Sequence, residues 1–545
     1  MRLAFFKQDL AAAITALTLV LLASVGSAQS SDSSLPRLVQ HDGRYALFVD
    51  GAPYILLGAQ VNNSSAWPST LPQVWPALEA LHANTVEMPV YWEQFEPEQD
   101  RFDYSVVDTL LTQSREHHLH LVLLWFGTWK NGSSHYMPAW MKRSPDFYTH
   151  VIGANGRPVD SPSPFAKNAL RADISAFSAL MRHLKAADPQ HTVLMIQIEN
   201  EPGTWGSVRD YSPAAQKVFD APVPDALLRA LQKQTASPRS NWREVFGDDA
   251  DEFFHAWAVA SYIEQVAAAG KAIYPLPLYV NAALRDPFHP HHPPDYETGG
   301  PTDNVIPIWK AMAPSVDLLA PDIYLGDNAE YLKVLELYSR PDNALFFPET
   351  ANHASNARYF FAALGRQAIG FSPFGMDYTG YSNAPLGAPR VDDATIAPFA
   401  LNYELIGPMV REIARLNFEG KLQAVAEEKG RTSQTLSFGK WNATVFYGLP
   451  QFGFPKDPPG NPEPIGRALI AQLADDQFLV AGFFCRVDFA PSNQPQKQRD
   501  LLRVEEGTYE NGEFKPVRIW NGDQSDWGLN FTSKPQVLRV SLGAY

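Results

Sequence analysis

The sequence predicts an α/β protein: a (β/α)8 TIM barrel followed by a smaller C-terminal antiparallel β-sandwich domain. Three observations carry this. First, from about residue 37 to about residue 416, eight short apolar runs alternate with helix-length or loop segments. Second, those runs are apolar almost throughout, as strands of a parallel sheet covered on both faces must be. Third, the last stretch switches to two-residue alternation with turn signals between runs, which reads as antiparallel sheet. A chain of 545 residues also exceeds one ordinary domain and suits a barrel plus an accessory domain. The expected division is a signal peptide over 1–28, a catalytic barrel over 29–416 and a β-sandwich over 417–545.

The elements follow in order. YILLGA (54–59) is the first strand and PQVWPALEALHA (72–83) its helix. NTVEMPV (84–90) is the second strand, followed by the amphipathic helix DYSVVDTLLTQSREHH (103–118). LHLVLLWF (119–126) is the third strand; a long loop and a helix near 173–186 follow it. TVLMIQIENE (192–201) is the fourth strand, with a helix over 253–272 before the fifth, LPLYVNA (276–282). VDLLAPDIY (316–324), NALFFPET (343–350) and AIGFSPFG (368–375) complete the eight. Residues 397–416 read as the last barrel helix. In the C-terminal part, strands are expected over 435–447, 467–474, 477–487 and 536–543, with a Pro/Gly-rich loop over 449–464.

Composition narrows the function classes. The chain carries 44 basic and 59 acidic residues, a net charge of −15. Phosphate contacts need a basic footprint, so a nucleic-acid binder is a poor fit. No Walker-type glycine loop is present, which argues against nucleotide use. Arg2 and Lys7, the apolar run Leu10 to Val25, and Gly26-Ser27-Ala28 read as a signal peptide. Its removal is expected to leave an exported protein without a membrane span, periplasmic or extracellular. Cys485 is the single cysteine, so neither an internal disulfide nor a cysteine metal site is available. No histidine–carboxylate cluster suits a metal, and no cofactor is expected.

In a barrel of this class the active site lies at the C-terminal strand ends. The polar residues there include Gln60, Asn62 and Asn63 on the first strand, then Glu87 on the second. Trp125, Trp129, Lys130 and Asn131 follow the third, and Gln197, Glu199, Asn200 and Glu201 end the fourth. Asn281, Asp322 with Tyr324, Glu349 and Asp377 with Tyr378 belong to the remaining four. Glu201 and Glu349 stand out, because the fourth and seventh strands face each other across an eight-stranded barrel. Glycoside hydrolysis needs such a pair: one carboxylic acid for the leaving oxygen and one carboxylate on the opposite face of the sugar. The acid needs a raised pKa, which a neighbouring carboxylate provides. Asn200 is placed to donate to a sugar hydroxyl and Tyr324 to hold Glu349. Trp125 and Trp129 are candidate stacking surfaces.

Four segments then resemble a known family: PVYWEQFEPEQDRFDY (89–104), MPAWM (137–141), IQIENEPG (196–203) and FFPET (346–350). Together they resemble glycoside hydrolase family 35, the retaining β-galactosidases of clan A, over about residues 37–416. The resemblance implies Glu201 as acid/base and Glu349 as nucleophile, with Glu199 as a support residue pointing the same way. It also implies a β-galactoside oligosaccharide as substrate, and the short C-terminal β domain resembles a bacterial branch associated with xyloglucan. The sequence departs from the family pattern at Asn131, where a sugar-binding Glu is usual, and at Pro89, where a Tyr is usual. Two alternatives remain: another clan A glycosidase with a different terminal sugar or an endo cleft, and, from another class, a non-catalytic carbohydrate-binding protein.

Overall fold

The computed structural model describes residues 35–233, 237, 239–448, 458–492 and 496–545. The expected signal segment 1–28 and residues 449–457 of the Pro/Gly-rich loop lie outside these.

Eight parallel strands form one sheet: Leu56–Leu57, Thr85–Tyr91, His120–Lys130, Val193–Asn200, Leu278–Ala283, Leu318–Ile323, Phe347–Thr350 and Gly370–Pro373. Each expected run overlaps one of them. The sheet closes between its first and second strands, where Ala59 N–H donates to Thr85 O at 3.2 Å and Glu87 N–H donates to Ala59 O at 2.8 Å. Nearly every residue of these strands is buried, on the barrel side and on the helix side alike. The outer helices pack tightly. Helix Lys167–Ala187 meets helix Ala250–Ile273 at Gly270, where a Cβ would stand 2.3 Å from the Phe177 ring.

Four details differ from expectation. The last barrel helix is two helices, Asp393–Ile406 and Val410–Phe418, joined by a 3-10 turn at Gly407–Met409. Pro408 lacks the N–H that a continuous helix needs there. The run 435–447 is a hairpin, Ser433–Phe438 and Trp441–Tyr447, turning at Gly439 with φ +64°. The run 477–487 splits at Phe484, φ +50°, into Gln477–Phe483 and Cys485–Pro491, which belong to different sheets. A small antiparallel sheet of Arg37–His41, Arg44–Val49 and Ala52–Tyr54 precedes the barrel and was not anticipated. It sits on helix Val410–Phe418 through Phe48 against Phe418 and Arg411 to Val49 O at 2.7 Å.

The C-terminal region holds a six-stranded and a four-stranded antiparallel sheet. Ile470, Val480, Leu538 and Val540 of the first share a core with Val445, Val487 and Phe489 of the second. The other face of the six-stranded sheet, Leu469, Leu479 and Phe483, joins the barrel core instead. Alternation of side chains across each strand makes this two-sided burial possible. Polar contacts fix the seam: Arg467 donates to Asn402 Oδ1 at 2.7 Å, and Arg358 donates to Glu427 O at 3.0 Å.

Candidate active site

A cavity of about 550 Å³ opens at the C-terminal ends of the strands. Its wall includes Asn63, Lys130, Asn131, Glu201, Trp205, Glu297, Tyr324, Glu349 and Asn352, with a loop from Tyr381 to Gly387 on one side. Glu201 and Glu349, expected from the fourth and seventh strand ends, both line it. So do Asn131 and Tyr324.

Glu349 is buried and anchored by three side-chain donors. Gln60 Nε2 donates to Oε1 at 2.9 Å, Asn200 Nδ2 to the same oxygen at 3.3 Å, and the Tyr324 hydroxyl to Oε2 at 2.8 Å. Donors on both oxygens fix the orientation of the carboxylate. Asn200 is itself held, since Lys130 Nζ donates to its Oδ1 at 2.8 Å. The same ammonium donates to Asn131 Oδ1.

Glu201 is built differently. Its backbone lies at φ +44°, in the left-handed region that few non-glycine residues adopt. The conformation is held by Glu201 N–H donating to Asn281 Oδ1 at 2.8 Å and by Gly132 N–H donating to Glu201 O at 2.9 Å. Burial, then the charge of Glu349, pushes the Glu201 carboxyl up to about 7; Lys130 and a hydrogen bond with Asp322 oppose the rise. Asp322 is pushed well above the usual carboxylate range, by burial first and then by Glu349 and Glu201. A hydrogen bond between the two carboxyls adds to the rise of Asp322. The cavity thus pairs a carboxyl that titrates near neutrality with a second one clamped by donors.

Other expected residues lie elsewhere. Trp125 is fully buried and outside the cavity; it packs with Trp92, Phe95 and Phe177 and donates Nε1 to Asp173 at 2.9 Å. It offers no surface to a ligand. Trp129 is likewise buried, against Tyr262. Glu87 lies inside the barrel rather than on the cavity wall, accepts from the Tyr279 hydroxyl at 3.0 Å, and is pushed well above the carboxylate range by burial. Asn200 is sealed behind Glu349 and acts on that carboxylate.

Glu199 does not point with Glu201. Its φ of +61° breaks the strand alternation, and its carboxyl turns toward the helix layer, where Trp129 N–H donates to it at 2.7 Å. Burial, then Asp173, pushes it well above the carboxylate range, and the two carboxyls are hydrogen-bonded to each other. Glu297 was not anticipated: it comes from the loop after the fifth strand, and only its place in a glycine-rich stretch marks it in sequence. Gln60 and Asp322 were read as strand-end polar residues but not as members of the site.

Comparison with known proteins adds the following. A family described as a domain of unknown function, DUF5597, matches residues 399–532, from within the last barrel helices into the C-terminal sheets. No curated protein matches. Among solved structures, a β-galactosidase from Rahnella sp. R3 is similar at 15% identity and a TM-score of 0.47, over 67% of this chain and 58% of that one. A GH42 β-galactosidase from G. stearothermophilus has 13% identity and a TM-score of 0.48, over 67% and 58%. The catalytic domain of a β-amylase from Paenibacillus polymyxa has 11% identity and a TM-score of 0.46, over 64% and 97%. The similarity thus spans about 58% of the length of the two β-galactosidases.

Proposed function

We propose that this protein is a retaining, exo-acting β-galactosidase that resembles glycoside hydrolase family 35. In this reading it is exported, and it releases terminal β-linked galactose from plant wall oligosaccharides such as xyloglucan fragments. The barrel over 29–416 carries the chemistry and residues 417–545 form the accessory β domain. The observation that carries the reading is the pair in one cavity: Glu201, titrating near neutrality, and Glu349, oriented by Gln60, Asn200 and Tyr324.

The steps follow from that pair. Glu349 attacks the anomeric carbon as the glycosidic C–O bond breaks, and Glu201 gives its proton to the leaving oxygen. The covalent ester removes the negative charge of Glu349. With that charge gone, less opposes a negative charge on Glu201 or on Asp322. Glu201 then takes a proton from water, the water attacks the anomeric carbon, and Glu349 leaves as carboxylate. Each step inverts configuration, so the product keeps it. Tyr324 and Gln60 support the carboxylate in both its attacking and its leaving role.

A panel of chromogenic β-glycosides, assayed with the purified protein, tests the reading. It predicts turnover of the galactoside well above that of the glucoside, mannoside and xyloside. Preference for another sugar would overturn the galactosidase assignment, and turnover of none would overturn glycosidase activity.

A further inference from the structure

Glu297 and Trp205 form a second structure on the cavity wall that these steps do not use. Glu297 is 3% exposed, and the Trp205 indole is the one donor that approaches its carboxylate, short of normal hydrogen-bond geometry. A buried carboxyl so poorly supplied with donors is costly, and such groups persist where a ligand supplies the missing ones. Trp205 stands beside it on the cavity wall and is 48% exposed, unusual for an indole that no other element covers.

The two are locked together. Thr204 N–H donates to Thr298 O at 2.8 Å and Thr298 N–H donates to Thr204 O at 3.1 Å, so the residues next to Trp205 and Glu297 are bridged. Thr204 is held in turn by His255 on helix Ala250–Ile273, 2.9 Å from its hydroxyl. Gly132 makes room for the carboxyl: a Cβ there would stand 2.5 Å from Glu297 Oε1. The site is therefore built on the scaffold rather than hung on a free loop.

Position and chemistry define the ligand. Glu297 lies against Gly132, whose N–H donates to Glu201 O, and against Gly203, two residues after Glu201, so it flanks the Glu201 side of the cavity. That is the side from which a leaving group departs. A cationic ligand would meet the Lys130 ammonium, whereas a neutral ring bearing adjacent hydroxyls would satisfy the carboxyl and stack on the indole. We propose that Trp205 and Glu297 form the leaving-group subsite, with Trp205 as platform and Glu297 as hydroxyl acceptor, so that the departing group is itself a sugar. This assignment rests on the glycosidase reading above.

The test compares the wild type with Glu297→Gln and Trp205→Ala on 4-nitrophenyl β-galactoside and on lactose. Circular dichroism and Tm report folding, and the exposed Trp205 position keeps the test open if Glu297→Gln folds poorly. Each variant is expected to lose at least about tenfold more kcat/KM on lactose than on the aryl galactoside, the scale of one lost charged hydrogen bond or stacking contact. Equal losses on both substrates, or none, would overturn the subsite. Tryptophan fluorescence titrated with lactose gives a second readout that does not need turnover. Quenching in the wild type that is lost in Trp205→Ala supports the subsite even if the wild type cleaves neither substrate, an outcome that removes the glycosidase reading alone. No quenching in the wild type, with lactose left uncut, overturns the subsite.

Discussion

Lys130 Nζ donates to Asn200 Oδ1 at 2.8 Å. The third and fourth strands thereby place one cation beneath a cavity that holds Glu201, Glu297 and Glu349. That cation opposes the rise of the Glu201 pKa, which burial and Glu349 drive. As general acid Glu201 works protonated, so kcat/KM should be full below about 7 and fall as pH rises through it. Lys130→Gln removes the charge while keeping a donor for Asn200. Glu201 should then hold its proton to higher pH, and the basic limb of the kcat/KM profile should move upward. A limb that stays in place or moves down would contradict the assignment of Glu201 to that limb.

Glu199 tests whether the neighbouring carboxyl is structural. Its carboxyl is raised well above the usual range, is hydrogen-bonded to that of Asp173 and accepts from Trp129 N–H. Glu199→Gln keeps a donor and an acceptor, so stability should change by less than about 1 kcal/mol and kcat by less than about threefold. Glu199→Ala strands two buried groups and should cost about 2–4 kcal/mol in urea unfolding. A Glu199→Gln enzyme that is stable but slowed by orders of magnitude would make Glu199 part of the chemistry.

The seam between the barrel and the C-terminal sheets should unfold with the barrel. Phe483 is fully buried there, its ring 6.2 Å from Phe361, and Arg467 reaches across to Asn402. Phe483→Ala should cost about 3–5 kcal/mol and lower the Tm of a single calorimetric transition. Two transitions, of which only the smaller one moves, would show the C-terminal region to be independent.

The legible parts of this molecule share a cause. Barrel strands are short, almost wholly apolar runs whose order in the chain is their order around the sheet, so eight could be counted without knowing which way any side chain points. Glu201 and Glu349 end such runs, where a polar residue is conspicuous. Direction was the illegible part. In a strand apolar on both faces no alternation separates barrel from helix side, so Trp125 was placed in the cavity although it faces Asp173. The left-handed backbone of Glu199 and Glu201 broke the remaining alternation, which turned Glu199 the wrong way. Glu297 lies 96 positions beyond Glu201 in a loop, and only the bridge between Thr204 and Thr298 brings it near.

The most direct test of the central claim is azide rescue of Glu201→Ala. Without its acid, the enzyme should still form the intermediate from an aryl galactoside, whose leaving group needs no proton, and should fail on lactose. Without its base, the intermediate should accumulate. Azide attacks without base help, so it should restore turnover on the aryl substrate and give β-galactosyl azide, because two inversions retain configuration. If Glu201→Ala folds normally, loses aryl and sugar substrates equally and does not respond to azide, Glu201 is not the acid/base.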